Sequence, residues 1–190
     1  MMLRGVFTFS LMMFSPLVFA DSLDINLNNN AARFQYSSSA GVFIQGNSEF
    51  HIGVLYNDVN NTMGEAGLIV RGGEENVPGL TVGVGAKAVV GAIRNGLATN
   101  NVSAIAIGGE IEYALPTAKR IAIIGEYFGG PKITTFADAD RFNQSGVRLE
   151  YEITPQTKAY LGYREINFGI KSAGSAMLDS GTHVGVKISF

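Results

Sequence analysis

His51 and His183 are the only imidazoles in the chain, and there is no cysteine. A histidine beside carboxylates can activate a water molecule when the groups lie within hydrogen-bond reach of one another. Asp138 and Asp140 are the carboxylates that would serve His183 in this way, with Arg141 next to them. Such a set suits peptide hydrolysis at a rim. Ser180, close to His183 in the chain, would suit acyl transfer instead. The competing reading is a solvated loop in which Asp140 and Arg141 form a local charge pair. A metal site needs several ligands and each histidine stands alone, so no metal is expected. Without cysteine there is no thiolate site and no disulfide. "GVGAKA" at 83–88 fits a dinucleotide-binding pattern, but it continues into strand rather than helix. Small residues lining a narrow space explain it, and no cofactor is expected.

A larger group of charges follows a period of two. In "SGVRLEYEIT" (145–154), Arg148, Glu150 and Glu152 alternate with Val147, Leu149, Tyr151 and Ile153. In "AIAIGGEIEYA" (104–114), Glu110 and Glu112 alternate with Ile111 and Tyr113. "EFHIGVLY" (49–56) sets Glu49 and His51 against Phe50, Ile52 and Val54. "HVGVKISF" (183–190) sets Lys187 against Val186, Ile188 and Phe190. The same parity gathers Arg33, Glu65, Arg71, Lys87, Glu126 and Arg164. Such alternation marks strands with unlike faces. In a soluble sheet the apolar face turns inward; in a membrane barrel it meets lipid and the polar face lines a lumen.

Cost orients the strands. A cation facing lipid at midplane costs about 2–4 kcal/mol. Arg148 lies near the middle of its strand, so it points inward, and Arg164 does the same. Glu165 is left outward, tolerable only near the headgroups. Charges in a confined space must be paired or hydrated. A structural salt-bridge plug is therefore expected ahead of a selective ion path, with Glu150 and Glu126 as acceptors for Arg148 and Arg164.

The elements that must hold these residues are read as strands at 22–28, 31–38, 48–57, 62–71, 79–90, 102–114, 119–129, 141–154, 157–168 and 181–190. Pro78, Pro116, Pro131 and Pro155 all fall between strands or at their ends, as the missing donor requires. The expected fold is all-β: a transmembrane antiparallel up-and-down barrel of ten strands, with eight as the alternative. Residues 1–20 read as a cleaved signal peptide, with Arg4 at its start and Val18-Phe19-Ala20 as the cleavage site. Residues 21–190 form the barrel domain. Both ends are then periplasmic, and 91–101, 130–140 and 169–180 are the outer loops. "NNN" at 28–30 makes an unusually tight outer turn. His183 falls near the outer mouth in this scheme. The mild net charge of −2 argues against nucleic acid.

A terminal phenylalanine after alternating apolar residues resembles the last strand of Gram-negative outer-membrane barrels, where it is the assembly signal; here that residue is Phe190. The chain as a whole resembles the YfaZ family of predicted outer-membrane proteins. The likeness is carried by "SLDINLNNNA" (22–31), "PKITTFADADRF" (131–142), "YLGYREI" (160–166) and "GTHVGVKISF" (181–190). It implies an outer-membrane or porin-like precursor and brings no catalytic residue with it. The expected function is thus porin-like or structural, with a narrow charged lumen. A rim-active protease or acyltransferase is the alternative, and a surface attachment protein the third. Expected partners are outer-membrane lipid, lipopolysaccharide and the barrel-assembly machinery, with the barrel a monomer.

Overall fold

The computed structural model describes residues 21–41, 47–73, 77–95, 98–171 and 174–190. The stretch read as a signal peptide lies outside them. The described residues form β1 (Ser22–Leu27), β2 (Ala31–Ser39), β3 (Asn47–Asn57), β4 (Thr62–Gly73), β5 (Leu80–Asn95) and β6 (Ala98–Ala114). They continue with β7 (Ile121–Gly130), β8 (Thr135–Ala137), β9 (Ala139–Thr154), β10 (Thr157–Ile170) and β11 (Gly174–Ser189). Leaving β8 aside, each strand pairs antiparallel with the next, and β1 closes on β11. The result is a closed antiparallel barrel of ten staves. Closure removes the sheet edges and satisfies the backbone, which is what a bilayer demands. The short β8 continues the stave of β7 after a single 3-10 turn at Lys132–Thr134, and pairs with the outer end of β6. Ala137 turns the chain into β9 with a φ of 56°.

The outward face carries Phe50, Ile52, Val54 and Tyr56 on β3, Val82, Val84 and Val90 on β5, and Val147, Leu149, Tyr151 and Ile153 on β9, all exposed. Tyr56, Tyr127 and Tyr163 lie toward the end of this belt expected to face outward, and Tyr113, Tyr151 and Phe190 toward the end expected to face the periplasm. Outward apolar residues between two aromatic girdles mark a transmembrane barrel.

Crossing a bilayer takes roughly 9–11 tilted residues, whereas β5, β6, β9 and β11 have 16, 17, 16 and 16. On β9 and β10 the surplus stands beyond the apolar belt, and there the pattern inverts. Along β9 the outward residues change from Val147 to Ser145, Asn143 and Arg141, while the inward ones change from Arg148 to Gln144 and the fully buried Phe142. β10 repeats the change. Glu165 and Asn167 face out, and Ile166, Phe168 and Ile170 face in. Within the membrane the polar face is inside; beyond it the apolar face is inside, as in any water-soluble sheet.

Two of the expected outer loops are therefore mostly strand. Residues 91–95 and 98–101 extend the β5–β6 hairpin, and 174–180 extend β11. The rim is also lopsided. β1 pairs with β11 only along Ser22–Leu27, leaving β11 above Val184 without β1 beside it. Instead the Asn57 side chain donates to the Leu178 carbonyl at 2.8 Å, and Asn28 donates to Asp179 at 2.7 Å. These asparagines close the wall above the low β1–β2 hairpin, which explains why the "NNN" turn can be so tight.

A charged lumen beneath an apolar stopper

The middle of the lumen holds a network drawn from all sides of the barrel. Glu65 on β4, its side chain 1% exposed, receives Arg33 from β2 in a direct ion pair and Lys87 from β5 at 3.5 Å. Arg164 on β10 donates to Asp179 at 2.8 Å and to Asn26 at 2.9 Å. Arg148 and Glu150, two apart on β9, pair at 2.8 Å, and Lys158 approaches the same carboxylate at 3.4 Å. The Tyr160 hydroxyl donates to Asp24. Glu126 accepts from Gln144 at 3.0 Å. Opposite charges within about 4 Å in a place shielded from bulk water attract strongly. Each ion here has a partner or a charged neighbour, as confinement requires.

Glycines make room for this crowd. Across β9, β10 and β11 the row Arg148–Gly162–His183 alternates with the row Gly146–Arg164–Gly181. The two arginines therefore never face each other. A methyl on Gly162 would lie 2.8 Å from the His183 ring, and one on Gly185 would overlap the Tyr160 ring. The large side chains lie flat over the glycines of the next strand.

Toward the end of the barrel that holds Phe190, Arg71 bridges Glu49 at 2.8 Å and Glu110 directly. Glu112, Glu152 and Lys187 stand half-exposed on the lumen face at the same end. Water reaches this mouth. The free space within the network is about 50 Å3. At roughly 10–15 Å3 for each water center, that admits only a few waters.

Above the network the lumen is filled. Leu55, Met63, Val89, Ile93, Val102, Ala104, Phe128, Phe142, Ile166, Phe168 and Leu178 form one buried cluster. Of the ten staves only β1 sends no side chain to it. The Phe142 and Phe168 rings pack at 4.8 Å. Lys87 lies 4.0 Å from the Phe128 ring center, at the seam between charged and apolar layers. An apolar cluster packed from opposite walls leaves little room for water among the described residues. This stopper is absent from the sequence reading, which expected charge throughout.

The structure places the fourteen expected lumen residues on the inner face, but changes several partners. Arg164 takes Asp179, not Glu126 or Glu150. Asp179 was hidden in a stretch read as loop. Asp24, Asn26, Gln144 and Tyr160 were also missed, although parity with their neighbors marks all four.

The outer-rim set does not assemble. Because β11 begins at Gly174, His183 sits in mid-lumen rather than near the mouth, buried against Tyr160 with ring centers 5.8 Å apart. Asp138 stays on the rim and accepts from the Asn101 amide at 2.9 Å. Asp140 pairs with Lys132 at 3.3 Å, not with Arg141, which is exposed on the outward face. No hydrogen bond among the described residues links Asp138 or Asp140 to His183.

Glu150 and Glu165 give a direct test of inside and outside. Glu150→Ala removes the acceptor shared by Arg148 and Lys158, and should lower the unfolding midpoint in detergent. Breaking a buried pair costs about 3–5 kcal/mol, and less here because the Arg148 and Lys158 side chains are 26% and 35% exposed. Glu165→Ala, on the outward face, should leave the midpoint unchanged. A silent Glu150→Ala with a damaging Glu165→Ala would reverse the assignment for this hairpin.

A family model described as YfaZ precursor matches residues 10–190. No curated protein matches the chain. Among solved structures it is similar to the KdgM porin, with 14% identity and a TM-score of 0.45, covering 90% of this chain and 99% of that one. It is also similar to the outer membrane channel DcaP of Acinetobacter baumannii, with 12% identity and a TM-score of 0.43 over 88% of this chain. The chain spans about half of that channel, 54% of its length.

Proposed function

Since the chain belongs to the YfaZ family, we propose that it is an outer-membrane barrel whose charged lumen opens to the periplasm and is stoppered on the outer side. The observation that carries this reading is the buried apolar cluster, to which nine of the ten staves contribute. Water and ions reach the lumen from the inner mouth and stop beneath Phe128. A porin-like role is then a restricted one, in which passage requires the stopper to move. A structural role in the envelope needs no such movement and is the simpler use of this geometry.

The same reading has the chain exported by its signal peptide and inserted by the barrel-assembly machinery, with Phe190 in the signal strand. It sits as a monomer among outer-membrane lipid and lipopolysaccharide. The scattered rim residues favor a non-enzymatic role.

Planar-bilayer recording of the refolded protein tests the stopper. The expected result is stable insertion, shown by heat-dependent gel mobility, with no steady conductance steps. Sustained ohmic steps from the unmodified protein would refute the closed-lumen reading.

A further inference from the structure

We propose that the connection from β7 to β9 is seated in the outer leaflet, with Ile133 and Phe136 among the lipid acyl chains. The inference rests on the membrane reading above and adds a contact that lies beyond the barrel wall. Ile133, on the 3-10 turn, is 87% exposed, and Phe136 on β8 is 50% exposed. Ile133 is almost bare and Phe136 half bare. Both are large and apolar, and both are at the end of the molecule where the neighboring strands β9 and β10 present Asn143, Ser145, Glu165 and Asn167.

Their position continues the apolar belt. Phe136 pairs with Ser103 on β6, and Ser103 pairs with Val90 on β5. Val90 is 60% exposed and belongs to the outward face. Directly below Ser103 on that face come Ile105 and Ile107, both exposed. Burying an exposed isoleucine and phenylalanine is favorable only where an apolar phase is at hand, and the phase that borders Ile105 and Ile107 is lipid. The Lys132–Asp140 pair, with Lys132 78% exposed on its side chain, keeps the other side of the turn in water. An apolar face against acyl chains and a charged face toward water is the pattern of an interfacial anchor.

The chain has no tryptophan, so one introduced indole reports without background. Ile133→Trp, Phe136→Trp, Ile107→Trp and Met177→Trp are refolded into vesicles of ordinary and of chain-brominated phosphatidylcholine. Folding of each is checked by heat-dependent gel mobility. Ile107→Trp lies within the belt and Met177→Trp on the tall wall of β11, outside it. Ile133→Trp is expected to emit at shorter wavelength than Met177→Trp and to lose most of its emission in brominated vesicles, as Ile107→Trp does. Phe136→Trp gives the same reading should Ile133→Trp not fold. If Ile107→Trp is quenched while Ile133→Trp and Phe136→Trp behave like Met177→Trp, the anchor is refuted and the membrane barrel stands. If Ile107→Trp is not quenched either, the membrane reading falls and the anchor with it.

Discussion

Glu65→Gln should be among the most damaging single substitutions in the lumen. The change keeps the shape of the side chain and removes only its charge. Arg33 and Lys87 then keep only the more distant Glu126 carboxylate, at a site where the side chains of Arg33, Lys87 and Glu65 are 8%, 2% and 1% exposed. Removing one partner of a buried pair typically costs about 3–5 kcal/mol, most of it the cost of the charge left behind. His51 lies on the next strand over Gly67, so there is no slack for Arg33 or Lys87 to turn away on that side. The expected outcome is a large fall in the urea midpoint of the detergent-folded barrel. Glu65→Gln combined with Lys87→Met should recover part of the loss, because one orphan cation goes with the carboxylate. A midpoint equal to wild type for the single variant would show that lumen water already neutralizes these charges.

The second large effect belongs to the stopper. Phe142 and Phe168 are both fully buried and touch each other. Truncating a core phenylalanine to alanine costs about 3–5 kcal/mol, and two in contact do not add simply. Phe142→Ala with Phe168→Ala should therefore be destabilized yet still fold, since closure and the lower charge network are untouched. It should also do what the wild type is expected not to do: pass ions in a planar bilayer. If the double variant folds by gel mobility and stays electrically silent, the cluster is not what closes the barrel.

Much of this is legible in the sequence. The alternation in "SGVRLEYEIT" placed Arg148 and Glu150 inside, and the ten staves followed from the turns. What was lost lies where the alternation changes phase. In 139–154 the apolar residues occupy odd positions from Val147 onward and an even one at Phe142. A pattern that breaks in mid-strand reads as the end of the strand. For that reason 169–180 looked like a loop, although Ile170 and Leu178 pack inside it and Asp179 holds Arg164. Misplacing that boundary also carried His183 to the rim. Tyr160 was missed for another reason. A tyrosine on a barrel strand suggests a girdle, against its parity with Arg164, and the row that pairs it with Gly185 shows the ring lying across the lumen wall.

The inversion of polarity along β9 and β10 sets the bilayer thickness this barrel can tolerate. A helix that is too long for its membrane can tilt, and a short one can thin the lipid around it, each at a cost of fractions of a kcal/mol per Å. Here a thicker bilayer would have to climb onto Ser145, Glu165 and Ser180, and the barrel cannot rise to meet it without drawing Ile153, Ile188 and Phe190 upward with it. A rigid closed wall cannot tilt one stave at a time. The belt on β9 from Val147 to Ile153 is short, which suits the bacterial outer membrane, thinner than average. The protein thus carries a built-in draft line, and lipid chain length in vesicles becomes a variable to which its insertion should respond.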